Sequence, residues 1–360
     1  MSIHFHPLTI CDIRNETNDC VSVAFEVPES LKDVFAFQHG QNITLRMSIN
    51  GEDLRRSYSI CSSPLDNELR VAVKSVADGR FSAFANSQLK KGDTLEVLPP
   101  TGKFYTELHP GNKKEYVAFA AGSGITPILS IIKTTLATEP ESSFTLVYGN
   151  RNRASIIFRD SLEALKNKYI DRFRVIHVLS REKMDADLNH GRIDVEKCEQ
   201  LGRHIIDWQK VDHFFLCGPE SMIFLTRDYL VSKGVDPGKI HFELFNTPGQ
   251  NLAAAAKKEK STSDKGEISK VTVRLDGSSF DFDLPFEGKS ILDGALQQGA
   301  DLPYACKGGV CATCRAKLVN GEVEMDLNYA LEPEEIEAGF ILTCQSHPRS
   351  TTVVVDFDSK

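Results

Sequence analysis

The sequence predicts a multidomain chain with an antiparallel β-barrel, an α/β domain built on a parallel sheet, and a small α+β domain. Its 360 residues and 40.0 kDa exceed one ordinary hydrophobic core and suit two or three domains. The pattern of apolar segments changes near residue 111, and a segment rich in Pro, Gly, Ser, Ala and Lys precedes the last part. We therefore predict domains at 1–110, 111–245 and 268–360, with a linker at 246–267.

Short apolar or alternating runs mark the first domain, among them CVSVAFEV, NITLRMSI, ELRVAVKSV and DTLEVLPP. Gly, Pro, Asn and Asp separate them every 10–20 residues. Several short strands divided by turn residues are typical of a small antiparallel barrel.

Buried-strand runs alternate with helical stretches in the second domain. The strand runs are EYVAFAAG, SFTLVYGN, RFRVIHVLS and VDHFFLCGP, and the helical stretches include TPILSIIKTTLAT and IIFRDSLEALKNKY. Such alternation predicts a parallel sheet that is covered by helices on both faces.

The third domain starts with VTVRLDG and FDFDLPF, which indicate a hairpin, followed by a helix at SILDGALQQ and a group of cysteines. The linker before it contains nothing apolar and bulky after Leu252.

Composition and charge exclude several classes of protein. A hydrophobic content of 41% with 26% charged residues is that of a globular protein, and no apolar run is long enough for a membrane span. The net charge of −8 argues against nucleic acid as the main partner. The N-terminus lacks the pattern of a secretory signal, so we expect a cytoplasmic protein. Residues 268–360 hold 15 Asp and Glu against 8 Lys and Arg, which indicates either a docking surface for a basic partner or a solvated acidic face.

Four of the nine cysteines have a distinctive spacing, Cys306-x4-Cys311-x2-Cys314 with Cys344 after 29 further residues. This spacing is that of plant-type [2Fe–2S] ferredoxins. Gly308 and Gly309 allow the loop to bend sharply and leave amides free to point at sulfur. The alternative is a structural zinc site, although zinc ribbons normally use two separated C-x2-C pairs. The spacing favours an iron–sulfur cluster and one-electron transfer.

The barrel contains a possible flavin site at RRSYSICS. Arg56 is suited to a pyrophosphate, Tyr58 offers a flat stacking face, and the hydroxyl of Ser59 can bond to a heterocycle edge. We expect alternation to place the three in or beside one groove. Downstream, Gly79-Arg80-Phe81-Ser82 predicts a helix N-terminus with a capping serine, which is an anion site. Each signal alone is also compatible with a purely structural role.

A glycine turn at the end of the first strand of the second domain indicates a nucleotide site. Gly122, Ser123, Gly124 and Thr126 allow a pyrophosphate to approach, although the third glycine of the dinucleotide fingerprint is missing and a turn used only for packing is the alternative. Later strand ends carry Arg151, Ser180 and Arg181, which could hold a 2′-phosphate, so NADPH is favoured over NADH. Cys217 ends another buried strand; a lone cysteine in a strand is usually a small core residue, but at this sheet edge it would face the nicotinamide.

These stretches in order, RSYSICS, GRFS, GSGITP and CGP, resemble the ferredoxin–NADP⁺ reductase superfamily. Together with the ferredoxin-type cysteine loop they are similar to the reductase components of bacterial multicomponent oxygenases. LRRSYSIC, AAGSGITPIL, TEPESSFTLVYGNR, FNTPG and ADLPYACKGGVCATC resemble the reductases of phenylacetyl-CoA epoxidases, and the likeness covers essentially the whole chain. The resemblance implies a β-grasp fold for the third domain, and FAD, a [2Fe–2S] cluster and NADPH as cofactors.

Residue roles follow from the resemblance together with the residue patterns themselves. The FAD contacts it implies are Arg56, Ser57, Tyr58, Ser59, Val73, Gly79, Arg80, Phe81 and Ser82. The nucleotide contacts are Gly122, Ser123, Gly124, Thr126, Arg151, Ser180, Arg181 and Cys217. It further implies catalytic roles for Ser59, Cys217, Glu243 and Phe245, and ligation of the cluster by Cys306, Cys311, Cys314 and Cys344.

The function implied is electron supply from NADPH, through FAD and [2Fe–2S], to a diiron oxygenase that epoxidises phenylacetyl-CoA. Two alternatives remain open at this point. The chain could be the reductase of another aromatic-ring mono- or dioxygenase, or a stand-alone NAD(P)H-linked redox carrier.

Overall fold

The computed structural model describes residues 4–245 and 266–359. All but the last two positions of the predicted linker lie outside these ranges, and the domain boundaries stay a prediction. Within the described ranges, no helix is long and apolar enough to cross a membrane.

An antiparallel six-stranded sheet forms the N-terminal part, in the order β4-β3-β6-β1-β2-β5. Its elements are β1 (His6–Thr17), β2 (Cys20–Glu26), β3 (Asn42–Ile49), β4 (Glu52–Ser59), β5 (Leu69–Lys74), α1 (Arg80–Ser87) and β6 (Thr94–Val97). A bridge between Ile60, just after β4, and Val71 on β5 joins the two ends of the sheet and closes it into the predicted barrel.

Strand alternation gives the β3–β4 pair two different faces. Ile43, Leu45 and Leu54 point into the barrel core. The opposite face, here called the outer face of β3–β4, carries three cross-strand pairs. They are Arg46 opposite Arg55, Thr44 opposite Ser57, and Asn42 opposite Ser59.

A parallel five-stranded sheet follows, in the order β11-β10-β7-β8-β9. Its elements are β7 (Glu115–Ala121), α2 (Ile125–Thr138), β8 (Ser143–Asn150), α3 (Arg159–Lys168), β9 (Phe173–Leu179), α4 (Val195–His204), β10 (His213–Gly218), α5 (Glu220–Ser232) and β11 (Ile240–Leu244). Alternate strand residues enter two separate cores, one shared with α2 and α3 and the other with α4 and α5. Both faces are therefore covered, as the sequence predicts.

The C-terminal part is a mixed sheet in the order β13-β12-β18-β14-β16, with a second small sheet of β15 and β17. Its elements are β12 (Ile268–Leu275), β13 (Ser278–Pro285), α6 (Ile291–Gln297), β14 (Arg315–Asn320), β15 (Val323–Met325), α7 (Pro333–Glu337), β16 (Phe340–Leu342), β17 (Ser346–Pro348) and β18 (Thr352–Asp356). β12 and β18 pair in parallel, and Ile291, Leu292 and Ala295 of α6 pack into the same core.

The barrel contacts the parallel-sheet domain through what we call the apolar joint. Phe104 meets Phe215 edge-on with ring centroids 5.5 Å apart, and both rings are buried. Beside them the Ser130 hydroxyl donates to the Ser62 carbonyl at 2.6 Å.

The barrel contacts the C-terminal domain through charged side chains, which we call the ionic joint. It consists of Arg46 and Arg55 against Asp301, and of Lys103 against Glu335 at 3.1 Å. The C-terminal domain also contacts α5, where the Tyr329 ring lies 6.2 Å from that of Phe224.

Candidate functional site

The cysteine loop of the C-terminal domain bends sharply at three points. Lys307, Gly309 and Ala312 all have positive φ, of 52°, 75° and 52°. A Cβ on Gly309 would lie 2.8 Å from the Leu327 carbonyl oxygen, so the loop also needs glycine there for lack of space. These bends bring Cys306, Cys311 and Cys314 round to one side.

The four predicted cluster ligands form two pairs with hydrogen-bond donors around them. The neighbouring thiol of Cys306 lowers the pKa of Cys311. In the same way the neighbouring thiol of Cys314 lowers the pKa of Cys344. The Gly308 amide lies 3.3 Å from the sulfur of Cys306, and the Gln345 side chain donates to the sulfur of Cys344 at 3.7 Å.

This donor set fits a [2Fe–2S] cluster, because two irons take two thiolates each and the charged cluster accepts hydrogen bonds at sulfur. Across residues 4–245 and 266–359, no three or more His, Cys, Asp or Glu side chains are arranged to hold a single metal ion. The pairing of the four cysteines matches a dinuclear cluster, in which each iron takes two thiolates.

A cleft lies beside the cysteine loop where all three parts of the chain meet. The barrel lines it with Asn42, Arg56, Ser57 and Ser59, the end of the parallel sheet with Glu243, Leu244 and Phe245, and the loop with Cys306, Val310 and Cys311. Five predicted FAD or catalytic residues are therefore brought together next to two predicted cluster ligands. Asn42 was missed by the sequence analysis, although it lies opposite Ser59 in the strand register.

A carboxyl–hydroxyl pair crosses this cleft. The Ser59 hydroxyl donates to Glu243 Oε2 at 2.8 Å. Burial raises the pKa of Glu243 to about 7, against the opposing effect of the Ser59 hydrogen bond. Glu243 can therefore hold or release a proton near neutral pH at the edge of the cleft. Cys217 is its neighbour in the strand register, and burial raises the pKa of its thiol well above the usual range.

The other predicted FAD residues extend from the cleft along the barrel. The Tyr58 ring packs 5.7 Å from that of Phe81, and Val73 is buried in the barrel core. The Arg56 guanidinium donates to the Arg55 carbonyl at 2.7 Å. Tyr58 lies outside the lining of the cleft, so of the three residues expected in one groove the structure brings Arg56 and Ser59 there.

The predicted serine cap at the start of α1 is wrong. The helix begins at Arg80 after Gly79, and Ser82 lies inside the first turn, where its hydroxyl donates to the Gly79 carbonyl at 3.0 Å. The helix N-terminus itself is present, and its Arg80 guanidinium binds Glu52 with one contact of 2.6 Å. Phosphate oxygens at this position would take the place of the Glu52 carboxylate.

The glycine turn after β7 combines a packing role with open space. A Cβ on Gly124 would lie 2.1 Å from the Cys217 carbonyl oxygen, so this glycine lets the turn approach β10. Gly122 has a φ of 55° and no atom within 4 Å of a Cβ position, which leaves room for a ligand beside it. Thr126 lies in the first turn of α2, and its hydroxyl donates to the Ser123 carbonyl at 3.0 Å.

Three predicted nucleotide residues lie together at the carboxyl ends of β8 and β9. The Arg181 amide donates to the Arg151 carbonyl at 2.8 Å, and the Ser180 amide donates to Asn150 at 2.9 Å. Arg151 and Arg181 are exposed, and no side-chain hydrogen bond or ion pair occupies either guanidinium in the part of the chain that the structure describes. Their donors are thus available to an anionic ligand.

The barrel, the parallel sheet with its glycine turn and the cysteine loop around one cleft define a class of protein, the NAD(P)H-linked flavin and iron–sulfur oxidoreductases. Comparisons with known proteins agree with this class. Three family models match, for an oxidoreductase FAD-binding domain at residues 7–105, an oxidoreductase NAD-binding domain at 119–228 and a 2Fe–2S iron–sulfur cluster binding domain at 273–349.

Two relatives match over almost the whole chain. A component of 1,2-phenylacetyl-CoA epoxidase from Escherichia coli (strain K12) is 48% identical, and the match covers 99% of this chain and 98% of the relative. The ferredoxin reductase component of 3-ketosteroid-9-alpha-monooxygenase from Rhodococcus rhodochrous is 35% identical, over 97% of this chain and 96% of the relative. Among solved structures, phthalate dioxygenase reductase has the same fold, with a TM-score of 0.59 and 24% identity over 98% of both chains.

The chain belongs to the family of oxygenase reductase components that join ferredoxin–NADP⁺ reductase-type domains to a [2Fe–2S] domain. It is an electron-transferring oxidoreductase that uses FAD, a [2Fe–2S] cluster and a pyridine nucleotide.

Proposed function

We propose that this chain supplies electrons from NADPH to a diiron oxygenase that epoxidises phenylacetyl-CoA. The observation that carries the proposal is the 48% identity, over 99% of the chain, to a component of a 1,2-phenylacetyl-CoA epoxidase. Identity falls to 35% for a reductase component of a steroid monooxygenase. That the oxygenase is a diiron enzyme and that its substrate is phenylacetyl-CoA are both part of what we propose.

Residues of the cleft and of the adjoining barrel have separate roles. Arg56 in the cleft and Arg80 at the start of α1 would hold the FAD pyrophosphate, Tyr58 of β4 would pack on the flavin ring, and Ser59 with Glu243 would hold a proton at its edge. Bound FAD supplies the conversion of a two-electron donor into two one-electron steps.

The turn beside the cleft would orient the nucleotide. The Gly122–Thr126 turn packs against the Cys217 carbonyl and would hold the nucleotide there, while Phe245 and Val310 give the cleft an apolar lining. Cys306 and Cys311 line the same cleft as Ser59 and Glu243, which supports electron transfer from the flavin to the cluster across this cleft.

The choice of NADPH rests on Arg151, Ser180 and Arg181. Two exposed guanidiniums and a hydroxyl at the ends of neighbouring strands match the charge and donors that a 2′-phosphate requires. With NADPH, Arg151→Ala and Arg181→Ala should each raise KM roughly ten-fold, since a charged hydrogen bond to phosphate is removed. With NADH, KM should stay unchanged.

Arg203→Ala is the matched control, because it removes an arginine from α4, where the side chain pairs with Glu199 at 3.5 Å. Equal KM values for NADPH and NADH in the parent protein, or equal effects of the variants on both, would remove the preference for NADPH.

The direct test of the oxygenase assignment measures NADPH consumption by the purified chain with and without a phenylacetyl-CoA-binding diiron oxygenase and its substrate. Strong stimulation with a matching amount of epoxide is the expected result. Unstimulated consumption, with an artificial acceptor still being reduced, would assign the chain to another oxygenase.

We also propose a cytoplasmic location, because the cluster ligands must stay reduced until the cluster is built. Recovery of the protein in the soluble cytoplasmic fraction of its own cells is the expected result, and recovery in an exported fraction would contradict it.

A further inference from the structure

One carboxylate of the C-terminal domain lies between two arginines of the barrel. Arg55 Nη2 donates to Asp301 Oδ1 at 2.8 Å, and Arg46 Nη1 lies 3.4 Å from Asp301 Oδ2. The two arginines face each other across the outer face of β3–β4. We call these three residues the Asp301 latch.

Arg55 is held in place by several other contacts. Its side chain is only 6% exposed, and its Nε donates to Asp53 at 3.0 Å. Its Nη1 donates to the Leu302 carbonyl at 3.0 Å, and its guanidinium lies 4.4 Å from the centre of the Tyr304 ring. A guanidinium fixed in this way offers Asp301 one defined position, since little side-chain freedom is left to lose on pairing.

A row of hydroxyls on the same face reaches the cysteine loop. Ser57, which lines the cleft, lies 3.0 Å from the Thr44 hydroxyl. Thr44 lies 3.3 Å from the Thr313 hydroxyl, and Thr313 in turn donates to the Cys311 carbonyl at 3.5 Å. The outer face of β3–β4 thus contacts the C-terminal domain at two places, the latch and the cysteine loop.

Both sides of the Asp301 latch belong to segments that also carry predicted cofactor residues. Asp301 and Leu302 precede Cys306 by a few residues of the chain. Arg55 and Ser59 lie on the same face of β4, about 13 Å apart at the usual rise per strand residue. The latch therefore fixes the start of the cysteine loop relative to the strand that carries the flavin-side residues.

We propose that Asp301, held between Arg46 and Arg55, is a positioning residue that sets the rate of electron transfer from flavin to cluster by holding the cysteine loop against the cleft. It touches neither cofactor. The proposal depends on flavin-to-cluster transfer within this chain and is independent of the oxygenase and its substrate.

Salt and mutation can both weaken the Asp301 latch. The Asp301 side chain is 70% exposed, so its charge can be removed without leaving a buried group unpaired, and added salt screens the pair. The expected consequence is a rate of cluster reduction that falls as ionic strength rises, with flavin reduction at saturating NADPH unaffected.

The test is stopped-flow reduction of the full holoprotein by NADPH, with flavin and cluster followed at separate wavelengths. Asp301→Asn should leave flavin reduction unchanged and slow cluster reduction roughly five-fold, the upper end expected from loss of one exposed ion pair. Asp301→Glu should restore most of the rate, because the carboxylate returns.

Asp281→Asn is the matched control. It removes the same charge from the same domain, but its ion-pair partner, Lys270 at 2.9 Å, lies in that domain as well. Equal cluster-reduction rates for Asp301→Asn and Asp281→Asn would overturn the proposal. Equal slowing of flavin and cluster reduction by Asp301→Asn would overturn it too, because the effect would then be a general one.

A second readout does not depend on turnover. Hydrogen–deuterium exchange of the oxidised protein should become faster in the segment 300–305 of Asp301→Asn and stay unchanged in β12 and β13. Unchanged exchange in 300–305 would show that Asp301 does not hold this segment, and would also contradict the proposal.

Discussion

The two joints of the barrel differ in their main contacts, although one charged pair, Lys133 of α2 with Asp66, also joins the barrel to the parallel-sheet domain. The apolar joint buries Phe104 against Phe215 and contains the buried hydroxyl of Ser130, which bonds to the Ser62 carbonyl. The ionic joint relies on charged pairs in which Asp301 is 70% and Lys103 51% exposed.

This difference separates the two tasks of the chain. Burial of apolar surface is not weakened by charge screening, whereas partly exposed ion pairs are. The apolar joint holds together the two domains that build the flavin and nucleotide sites. The ionic joint fixes the cluster domain with contacts that can be weakened one by one.

The largest effect is expected from removing the cluster, a change that leaves the apolar joint untouched. Cys311→Ser should abolish the absorbance of the cluster and all electron output, while NADPH still reduces the flavin at the original rate. Absorbance spectra and stopped-flow flavin reduction measure the two outcomes. Cys11→Ser, at a partly exposed cysteine of β1, should change neither. Loss of flavin reduction in Cys311→Ser would show that flavin reduction depends on the cluster domain.

The next largest effect is expected from breaking the apolar joint. Phe104→Ala should lower the free energy of unfolding by about 4 kcal/mol, because a buried ring is lost and a cavity remains. Denaturant unfolding at low and high salt should give the same loss. Phe280→Ala, at a partly buried ring of β13, should cost clearly less. A loss for Phe104→Ala that shrinks with salt would mean that the joint is not apolar in character.

A pH effect is expected beside the same joint. Burial lowers the pKa of His39 to about 4, so the folded protein holds it neutral while the unfolded chain protonates it below about 6.5. The contribution of His39 to the free energy of unfolding is fully present above pH 6.5. It falls by about 3 kcal/mol as the pH drops to 4. His39→Gln should remove that part of the acid sensitivity in unfolding curves measured between pH 4 and 7. The exposed His204→Gln should retain it, and an unchanged slope in His39→Gln would exclude His39 as its source.

The smallest effect concerns the second contact of the ionic joint. Lys103→Gln removes a half-exposed partner of Glu335, which keeps Arg315 at 3.3 Å. We expect a loss of about 0.5 kcal/mol in the free energy of unfolding, present at low salt and absent at high salt. A loss above about 2 kcal/mol, or one that persists at high salt, would show that this ion pair behaves as a buried pair and is not screened by solvent.

The sequence predicted the cysteine loop because its signal is local. Three of the four cysteines and both glycines lie within nine residues, and the structure shows their bends and pairing. The glycine turn at Gly122 was visible for the same reason.

Arg55 could not be identified in this way. Its neighbour Arg56 carried the motif, and its partner Asp301 lies 246 residues further along the chain. Alternation in β4 predicts that Arg55 and Arg56 point to opposite faces, but no local pattern indicates which domain covers the outer face. The capping role of Ser82 was wrong because the helix starts before the serine, at Arg80, and a serine cap would have to precede the first helical residue.

The most direct test of the central claim is anaerobic addition of NADPH to the purified protein, followed by absorbance and by electron paramagnetic resonance. We predict that the flavin absorbance falls first and that the signal of a reduced [2Fe–2S] cluster then appears in the same molecules. A protein whose flavin is reduced while the cluster stays oxidised, or whose C-terminal domain holds no cluster, would contradict electron transfer across the ionic joint.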